Sequence, residues 1–353
     1  MLHFIKNPGY FGSYPGVGAP GDKEKGLLKD AGRKLPLVDK VEMPLIEEAQ
    51  PAALKFLKGE LDWRGLDRAN FGKLVVQNGE GFNLRDEFAS KFEIYWVAGL
   101  DTSYTAINMK DPLLGKNKLL RQALAHLIDT RGHVNVLLNG RGRKLNSIVP
   151  LDLPGSERDT GAAYRDYDVA TAKKLLAEAG FPEGKGLPPL TLLLAATDAD
   201  TRNQFDYYKA RAALAGVQLL PGLMDNPTFI KNVSAGNFQL AYYGWVADYA
   251  DAEDFYQLLY SKNVAPGPNY PSFNHPGYDK AYEASRFMAN GPERYAQFKL
   301  MNDILRDEVP VILGYNSLRF GIYQKWLSNF KRNVLVPEYA FIDIDMAKKK
   351  KGL

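Results

Sequence analysis

Acidic and aromatic residues cluster between positions 242 and 254, and their types suit binding of a cationic or amine-bearing ligand. The segment reads Tyr242-Tyr243-Gly244-Trp245-Val246-Ala247-Asp248-Tyr249 and is followed by Asp251, Glu253 and Asp254. A carboxylate among aromatic rings attracts a positive charge through ion pairing and cation–π interaction. Asp248, close to Trp245, Tyr242 and Tyr249, is therefore the candidate anchor for such a ligand.

The other carboxylates of this cluster have structural explanations. A helix is predicted at 252–260, with Asp251 as its N-cap and Asp254 in its first turn, where carboxylates accept hydrogen bonds from free backbone N–H groups. The cluster lacks the even spacing around a glycine that a calcium loop needs. Asp248 and Glu253 could also form the acid/base pair of a hydrolase, but no second carboxylate stands on a separate strand.

The elements around the cluster alternate between strands and helices, which predicts a mixed sheet covered by helices. Strands are predicted at 38–46, 93–98, 104–109, 190–195, 217–220, 238–243, 311–315 and 339–344, and helices at 49–58, 118–128, 169–179, 202–214, 227–235 and 292–306. Asp248 thus follows the end of a strand. Residues 12–36 are rich in glycine and proline and predict a surface loop.

Composition and motifs exclude several classes of function. The 353 residues suffice for about two lobes, and 45 basic against 41 acidic residues are too balanced for a nucleic-acid-binding surface. The absence of cysteine excludes disulfides and thiolate zinc sites. No G-x-S-x-G motif or close histidine pair occurs, and prolines interrupt the G-x-G-x-x-G pattern at 16–21. We expect no catalytic activity, metal or cofactor.

Six short motifs resemble those of the peptide/nickel type of ABC-transporter solute-binding proteins, family 5, which includes oligopeptide- and dipeptide-binding proteins. The segment 244–251 is similar to the family's G-W-x-A-D-Y-x-D. The other five occur in the family's order: Asn7 to Phe11, Leu57 to Asp62, Asn108 with Arg121 to Asp129, Leu175 to Phe181, and Glu308 to Pro310. Together they extend over nearly the whole chain.

The resemblance implies an α/β, periplasmic-binding-protein-like two-lobe fold of type II, from the large cluster with mixed sheets. Members of the family are longer at their N-terminus. The chain therefore resembles the C-terminal portion of such a protein, and we expect it to lack the N-terminal part of the larger lobe and the signal sequence. Residues 1–100 would belong to the larger lobe, with an insert loop at 12–36. Residues 101–330 would form a second α/β lobe, and 331–353 a return strand and a basic tail.

The resemblance also implies roles for individual residues. Asp248 matches the position that forms a salt bridge with a peptide α-amino group, and Trp245 matches the wall of a side-chain pocket. Tyr104 matches an aromatic residue that lines the cleft. Tyr242 stands where oligopeptide binders have an arginine, and Ala106 where they have a glutamate. The predicted ligand-binding residues are therefore Asp248, Trp245, Tyr104, Tyr242 and Tyr249. Ala106 is not one of them.

The function implied is that of an extracytoplasmic component of an ABC importer, which binds peptides between two lobes and delivers them to a membrane permease. It would be a monomer without a nucleic-acid partner, located in the periplasm or on the outer face of the cytoplasmic membrane. Ligand binding would close the lobes about crossovers near 101–108 and 328–337. An oligosaccharide, an opine or a metal chelate is the alternative solute, and a periplasmic hydrolase the alternative class.

Overall fold

The computed structural model describes residues 1–79, 81–332 and 338–351. The strands β1 to β15 are, in order, Leu2–Ile5, Lys40–Met43, Trp63–Gly65, Val75–Asn78, Gly81–Leu84, Phe92–Ala98, Asp101–Ile107, Gly142–Lys144, Leu190–Leu194, Leu219–Leu223, Leu240–Val246, Val311–Leu313, Tyr315–Gln324, Leu327–Ser328 and Asp343–Ile344. The helices α1 to α13 are Ala49–Leu57, Arg68–Leu74, Asp86–Ala89, Lys118–Ala125, Thr130–Leu137, Glu157–Thr160, Val169–Glu178, Ala199–Ala213, Asn226–Ser234, Glu253–Tyr256, Pro276–Ser285, Pro292–Glu308 and Met346–Lys351.

The chain divides into two compact units. Unit 1 comprises Met1–Val97 and Leu318–Leu353, and unit 2 is the continuous segment Ala98–Ser317. The second boundary was predicted at residue 330, but β13 runs past residue 317 and pairs with β3 and β6 of unit 1. By this division the chain passes between the units at 97–98 and 317–318. Residues 333–337 of the second predicted crossover lie outside the described part.

Unit 2 is built on a five-stranded mixed sheet in the order β10-β9-β11-β7-β12. β9 is parallel to β10 and β11, whereas β7 is antiparallel to β11 and β12. Side chains alternate between the two faces of a strand, so each face has its own core. One core includes residues of α4, α7 and α8, and the other includes residues of α9, α10, α11 and α12.

Several predicted elements of unit 2 have different ends in the structure, for identifiable reasons. β11 continues to Val246 because it pairs with β7 along its whole length, as far as Asp101. β10 includes Pro221, which an edge strand tolerates because one side of it needs no ladder hydrogen bonds. α8 begins at Ala199, since Asp198 caps it by accepting a hydrogen bond from Thr201 N. α7, by contrast, begins at Val169 as predicted, and Asp168 caps it by accepting hydrogen bonds from Ala170 N and Thr171 N.

Two motif residues hold the sheet to its connecting segments. The Asn108 side chain donates hydrogen bonds of 2.9 and 2.8 Å to the carbonyls of Gly236 and Phe238. The buried Arg121 donates to the carbonyls of Leu114 and Glu308. Buried polar groups are stabilising only when they are hydrogen-bonded in this way, so both motif positions have a structural role.

Unit 1 contains the sheet β3-β13-β6 and three separate strand pairs: β1 with β2, β4 with β5, and β14 with β15. The predicted loop 12–36 consists mainly of turns, and an isolated bridge joins Ser13 to Lys34. Its Asp30 accepts a hydrogen bond of 2.6 Å from Asn329, and its Asp22 pairs with Lys331. The loop is thus attached to the returning C-terminal segment of the same unit.

Two further sequence predictions on unit 1 are corrected by the structure. The strand predicted at 339–344 is reduced to Asp343–Ile344, because a 3-10 turn occupies Glu338–Ala340. The strand predicted at 38–46 is reduced to Lys40–Met43, since pairing with β1 covers only those four residues. No helix in the described ranges has the length and apolar character that a membrane crossing requires.

Candidate ligand-binding site

A concave pocket of about 440 Å³ lies within unit 2, at one edge of its central sheet. The carboxyl ends of β9 and β11 meet there with the first residues of β7, and the carboxyl ends of parallel strands are where α/β sheets bind ligands. The lining residues are Asp101, Thr102, Ser103, Leu194, Ala195, Ala196, Thr201, Gln204, Tyr242, Tyr243, Gly244, Trp245, Val246, Tyr315 and Ser317.

Trp245 is held at this pocket by a buried carboxylate. Its indole Nε1 donates a hydrogen bond of 3.0 Å to Asp254 Oδ2, and the same oxygen accepts from Asp248 N at 2.9 Å. Gln257 Nε2 donates to Asp254 Oδ1 at 2.9 Å. Burial raises the pKa of the Asp254 carboxyl above 3.8, although these donors oppose that rise. Asp254 therefore joins the pocket wall to the loop that carries Asp248.

Asp248 lies two residues beyond the end of β11 and is exposed to solvent. Within the ranges the structure describes, no lysine, arginine or histidine forms an ion pair with its carboxylate. Its backbone N–H is fixed by Asp254, as described above. An exposed carboxylate on a fixed backbone is available to a cationic group of a ligand.

The capping roles predicted for Asp251 and Asp254 are wrong in part. α10 covers only Glu253–Tyr256, and its N-cap Ala252 provides no side-chain hydrogen bond. Asp251 does accept a hydrogen bond from Glu253 N at 2.8 Å. Its two carboxylate oxygens also accept hydrogen bonds from Arg294 Nη1 and Nη2, at 2.8 and 2.7 Å. Asp254 instead binds the side chain of Trp245, which no local pattern indicates.

Glu253, the second residue of the hydrolase hypothesis, is bound by two tyrosines. The hydroxyls of Tyr249 and Tyr282 donate to its two carboxylate oxygens, one each. Burial, followed by the hydrogen bond to Glu253, raises the pKa of the Tyr249 hydroxyl. Because both of its carboxylate oxygens accept these hydrogen bonds, Glu253 has a structural role. Its hydrogen bond orients Tyr249, which does not line the pocket.

The remaining predicted residues lie on opposite faces of the sheet. Tyr242 lines the pocket, and burial raises the pKa of its hydroxyl well above 10. Tyr104 is only 2% exposed and packs edge-on against Tyr243 at 6.1 Å between ring centroids. Tyr243, its cross-strand partner on β11, reaches the pocket, whereas Tyr104 is part of the buried core and is not among the lining residues.

Sequence reasoning missed Ser103, Thr201, Gln204 and Tyr315 as pocket residues. Thr201 and Gln204 lie on α8, the helix that directly follows β9. This position after the carboxyl end of a strand could have indicated them as pocket residues. Ser103 and Tyr315 are joined by two hydrogen bonds between the Ser103 hydroxyl and the Tyr315 backbone, at 2.9 and 3.0 Å. That pairing is remote in sequence, so no local motif predicts it.

A larger concavity of about 780 Å³ lies in unit 1, between β2, β3 and the C-terminal segment. It contains none of the residues predicted to bind ligand. Within the described ranges no group of three or more histidine, aspartate or glutamate side chains is placed to hold a metal ion. The pocket of unit 2 is therefore the candidate site, because geometry and the sequence motif coincide there.

The ion pair between Asp251 and the buried Arg294 predicts a pH-dependent contribution to stability. Burial alone would raise the pKa of Asp251, but the hydrogen bonds and charge of Arg294 outweigh it and hold that pKa below 3.8. A lowered carboxyl pKa contributes stability above the unfolded value and loses it as pH falls through the folded value. We expect Asp251→Asn to lower the unfolding free energy by about 2 kcal/mol at pH 7, since Arg294 stays buried.

Urea unfolding at pH 7 and at successively lower pH measures this effect. The difference between wild type and Asp251→Asn should shrink below pH 3.8, where the wild-type carboxyl takes up its proton. Asp303→Asn, which removes a more exposed pair with Lys299, is the control and should cost about 0.5 kcal/mol or less. A difference that stays constant with pH would contradict the assignment.

A mixed sheet with helices on both faces, an aromatic pocket at the carboxyl end of β11 and an exposed carboxylate two residues beyond that strand are features of an α/β binding protein. Residues 1–267 match the sequence model of the bacterial extracellular solute-binding proteins, family 5 Middle. The chain belongs to this family of bacterial extracellular solute-binding proteins, a class that is not enzymatic, which confirms the resemblance found in the sequence motifs.

Two curated proteins that are similar to the chain are both named as binding proteins. It is 25% identical over 298 residues to the oligopeptide-binding protein OppA of Bacillus subtilis, covering 82% of this chain and 50% of that protein. It is also 25% identical over 233 residues to heme-binding protein A of Haemophilus influenzae, covering 65% of this chain and 42% of that one. The chain thus spans about half the length of these relatives.

The fold is shared with a solved structure of the periplasmic binding protein DppA from Helicobacter pylori in complex with the peptide STSA. The TM-score is 0.72 at 20% identity, over 90% of this chain and 59% of that one. This similarity confirms the predicted α/β periplasmic-binding-protein fold.

Proposed function

We propose that the chain binds peptides through their free α-amino group, as part of an extracytoplasmic solute-binding protein that supplies an ABC importer. The observation that carries the proposal is the exposed Asp248 carboxylate, two residues beyond the end of β11, whose backbone N–H shares the acceptor Asp254 Oδ2 with Trp245 Nε1. An ammonium group paired with this carboxylate would lie next to an aromatic pocket wide enough for a side chain.

The names of related proteins support this choice of ligand. The Bacillus relative is an oligopeptide-binding protein, and the Helicobacter structure contains a bound peptide and is described as periplasmic. Delivery to a permease and a location outside the cytoplasm are part of the same proposal, and the names of these relatives support them. Closure of two lobes around the ligand remains part of the proposal, as does a monomeric state.

A thermal-shift assay with matched peptides tests the proposal. Alanine-based di- to penta-peptides with a free N-terminus are expected to raise the melting temperature, because a ligand that binds only the folded state stabilises it. The same peptides with an acetylated N-terminus carry no ammonium group and should give little or no shift. Equal shifts from free and acetylated peptides would contradict the amine anchor, and no shift from either would contradict peptide binding.

A metal chelate is the second candidate ligand, because one relative is a heme-binding protein. The pocket is partly aromatic, which suits a flat ring system. However, no histidine, methionine or cysteine among the described residues lines it to bind a metal ion. Haemin titration followed by its visible absorption spectrum distinguishes this candidate, since binding would change the spectrum in the absence of any peptide.

A further inference from the structure

We infer that unit 1 carries a surface that attaches the protein reversibly to a bilayer containing anionic phospholipids. This lysine surface is formed by the turns of the loop 12–36 and by the tail helix α13, and its charge comes from Lys23, Lys25, Lys29, Lys350 and Lys351. The inference goes beyond the proposed function, because it concerns unit 1 and does not depend on the solute that the pocket of unit 2 binds.

The loop and the tail helix lie together in the fold of unit 1. Arg33 Nη1 donates a hydrogen bond of 2.8 Å to Asp343 Oδ2, which is close to the start of α13 in the chain. Asp345 directly precedes α13, and its pKa is lowered by the backbone N–H of Lys348 and by the charges of Lys348 and Lys29. Lys348 Nζ lies 3.9 Å from the Asp345 carboxylate. Lys29 of the loop and Lys348 of α13 are therefore near the same carboxylate, and the two segments share one surface.

Most carboxylates around the lysine surface are already paired with a cation. The pairs are Asp22 with Lys331, Asp30 and Asp343 with Arg33, Asp62 with Lys349, and Asp345 with Lys348. The five lysines of the surface, in contrast, are exposed and form no ion pair within the described ranges. Glu24 is the one carboxylate of the loop 12–36 that no cation pairs with in that part of the chain. Positive charge is therefore in excess on this surface.

The type of these cations indicates the kind of partner. A lysine ammonium group is a compact, strongly hydrated point charge, whereas the arginine fork recognises a single phosphate or carboxylate group through two hydrogen bonds. Arg33 of the loop and Arg332 of the returning C-terminal segment are both bound to carboxylates. Lysines that lack an ion pair suit a surface of many negative charges, and clusters of about four to eight basic residues bind anionic lipid headgroups.

The expected attachment is weak and depends on ionic strength. Each lysine near an anionic bilayer strengthens binding by about fivefold, so attachment requires several lysines acting together. Salt screens their attraction beyond a Debye length of about 8 Å at physiological ionic strength. Lysines of the loop and of α13 act together only if they face the same bilayer, which their shared surface allows. Removing lysines from either segment should therefore weaken attachment.

Co-sedimentation of the whole chain with lipid vesicles tests the inference. We expect binding to vesicles of phosphatidylcholine and phosphatidylglycerol in equal parts, much weaker binding to phosphatidylcholine alone, and release by added salt. The double variants Lys25→Gln/Lys29→Gln and Lys350→Gln/Lys351→Gln should each lower the partition coefficient about 20-fold, because each removes two charges. Since these side chains are exposed and form no ion pair within the described ranges, both variants should melt like wild type.

Lys173→Gln/Lys174→Gln is the matched control, because it removes two exposed lysines from α7 of unit 2. It should bind the mixed vesicles like wild type. Equal binding to both kinds of vesicle, an equal loss in the control, or a loss confined to one of the two double variants would overturn the inference. Binding to soluble poly-glutamate but not to vesicles would also overturn it and would assign the surface to an acidic polypeptide. None of these outcomes changes the thermal shift with peptides, so the proposed function is tested separately.

Discussion

Asp248→Asn is expected to weaken the binding of a free-amine peptide by about 30-fold, equivalent to about 2 kcal/mol. Asparagine keeps the size of the side chain but removes the negative charge that would pair with the ligand ammonium group. Since the carboxylate is exposed and forms no ion pair within the described ranges, its loss should leave the melting temperature of the free protein nearly unchanged. Calorimetric titration and thermal melting measure the two quantities separately.

The acetylated form of the same peptide makes this prediction specific. The wild type should bind it about as weakly as Asp248→Asn binds the free-amine form, and the variant should not distinguish the two peptides. Asp206→Asn removes the same charge from an exposed position on α8 that does not line the pocket, so it should bind like wild type. Full affinity in Asp248→Asn would show that the amine is bound elsewhere.

Asp254→Ala is expected to lower the unfolding free energy by about 3 kcal/mol and to weaken peptide binding as well. The substitution leaves Trp245 Nε1, Asp248 N and Gln257 Nε2 without their acceptor. Each unsatisfied buried donor costs about 1–3 kcal/mol, although water entering the space of the lost carboxyl would reduce the sum. Urea unfolding gives the stability, and the emission spectrum of the tryptophans reports the changed environment of Trp245.

Asp225→Ala is the control for this second experiment. Asp225 caps α9 by accepting a hydrogen bond from Thr228 N at 2.9 Å, at an exposed position remote from Trp245 in the sequence. Its loss should cost about 1 kcal/mol, the usual value for an N-cap, without a change in peptide affinity. If Asp254→Ala lost stability but bound peptides like wild type, Asp254 would be a structural residue with no part in positioning the site.

The sequence predicted the elements whose signals are local. The helix predicted at 169–179 shows why: its cap Asp168 accepts hydrogen bonds from Ala170 N and Thr171 N, within three residues of itself. The equivalent cap Asp198 was missed, and α8 was predicted to begin only at residue 202. The buried Leu120 and Leu124 of α4 likewise follow from helical spacing, whereas Leu127 is buried beyond the end of that helix at Ala125. The family assignment was also accessible, because six short motifs in a fixed order are far more specific together than any one alone.

What the sequence could not predict depends on contacts between distant residues. Asp254 looks like a helix cap in the sequence, yet it binds Trp245 because the chain turns back over the strand end after Asp248. The strand predicted at 311–315 corresponds to β12, whereas β13 was missed beyond its first residue, since its course to Gln324 depends on pairing with β3 in a distant part of the chain. Likewise, the alternation of β7 alone cannot show that Tyr243 covers Tyr104.

The division of unit 1 into two chain segments determines the order in which the protein can fold. Residues 98–317 leave the ribosome as one uninterrupted stretch, and the backbone N–H of Gly99 donates to the carbonyl of Ser317 at 2.8 Å, so unit 2 closes on itself. The sheet of unit 1 cannot be completed until β13 has been synthesised, because that strand lies between β3 and β6. Since domains fold largely as they emerge, unit 1 finishes folding after unit 2, although its first segment is synthesised earlier. Until then its sheet lacks its central strand, and β3 and β6 remain without their shared partner.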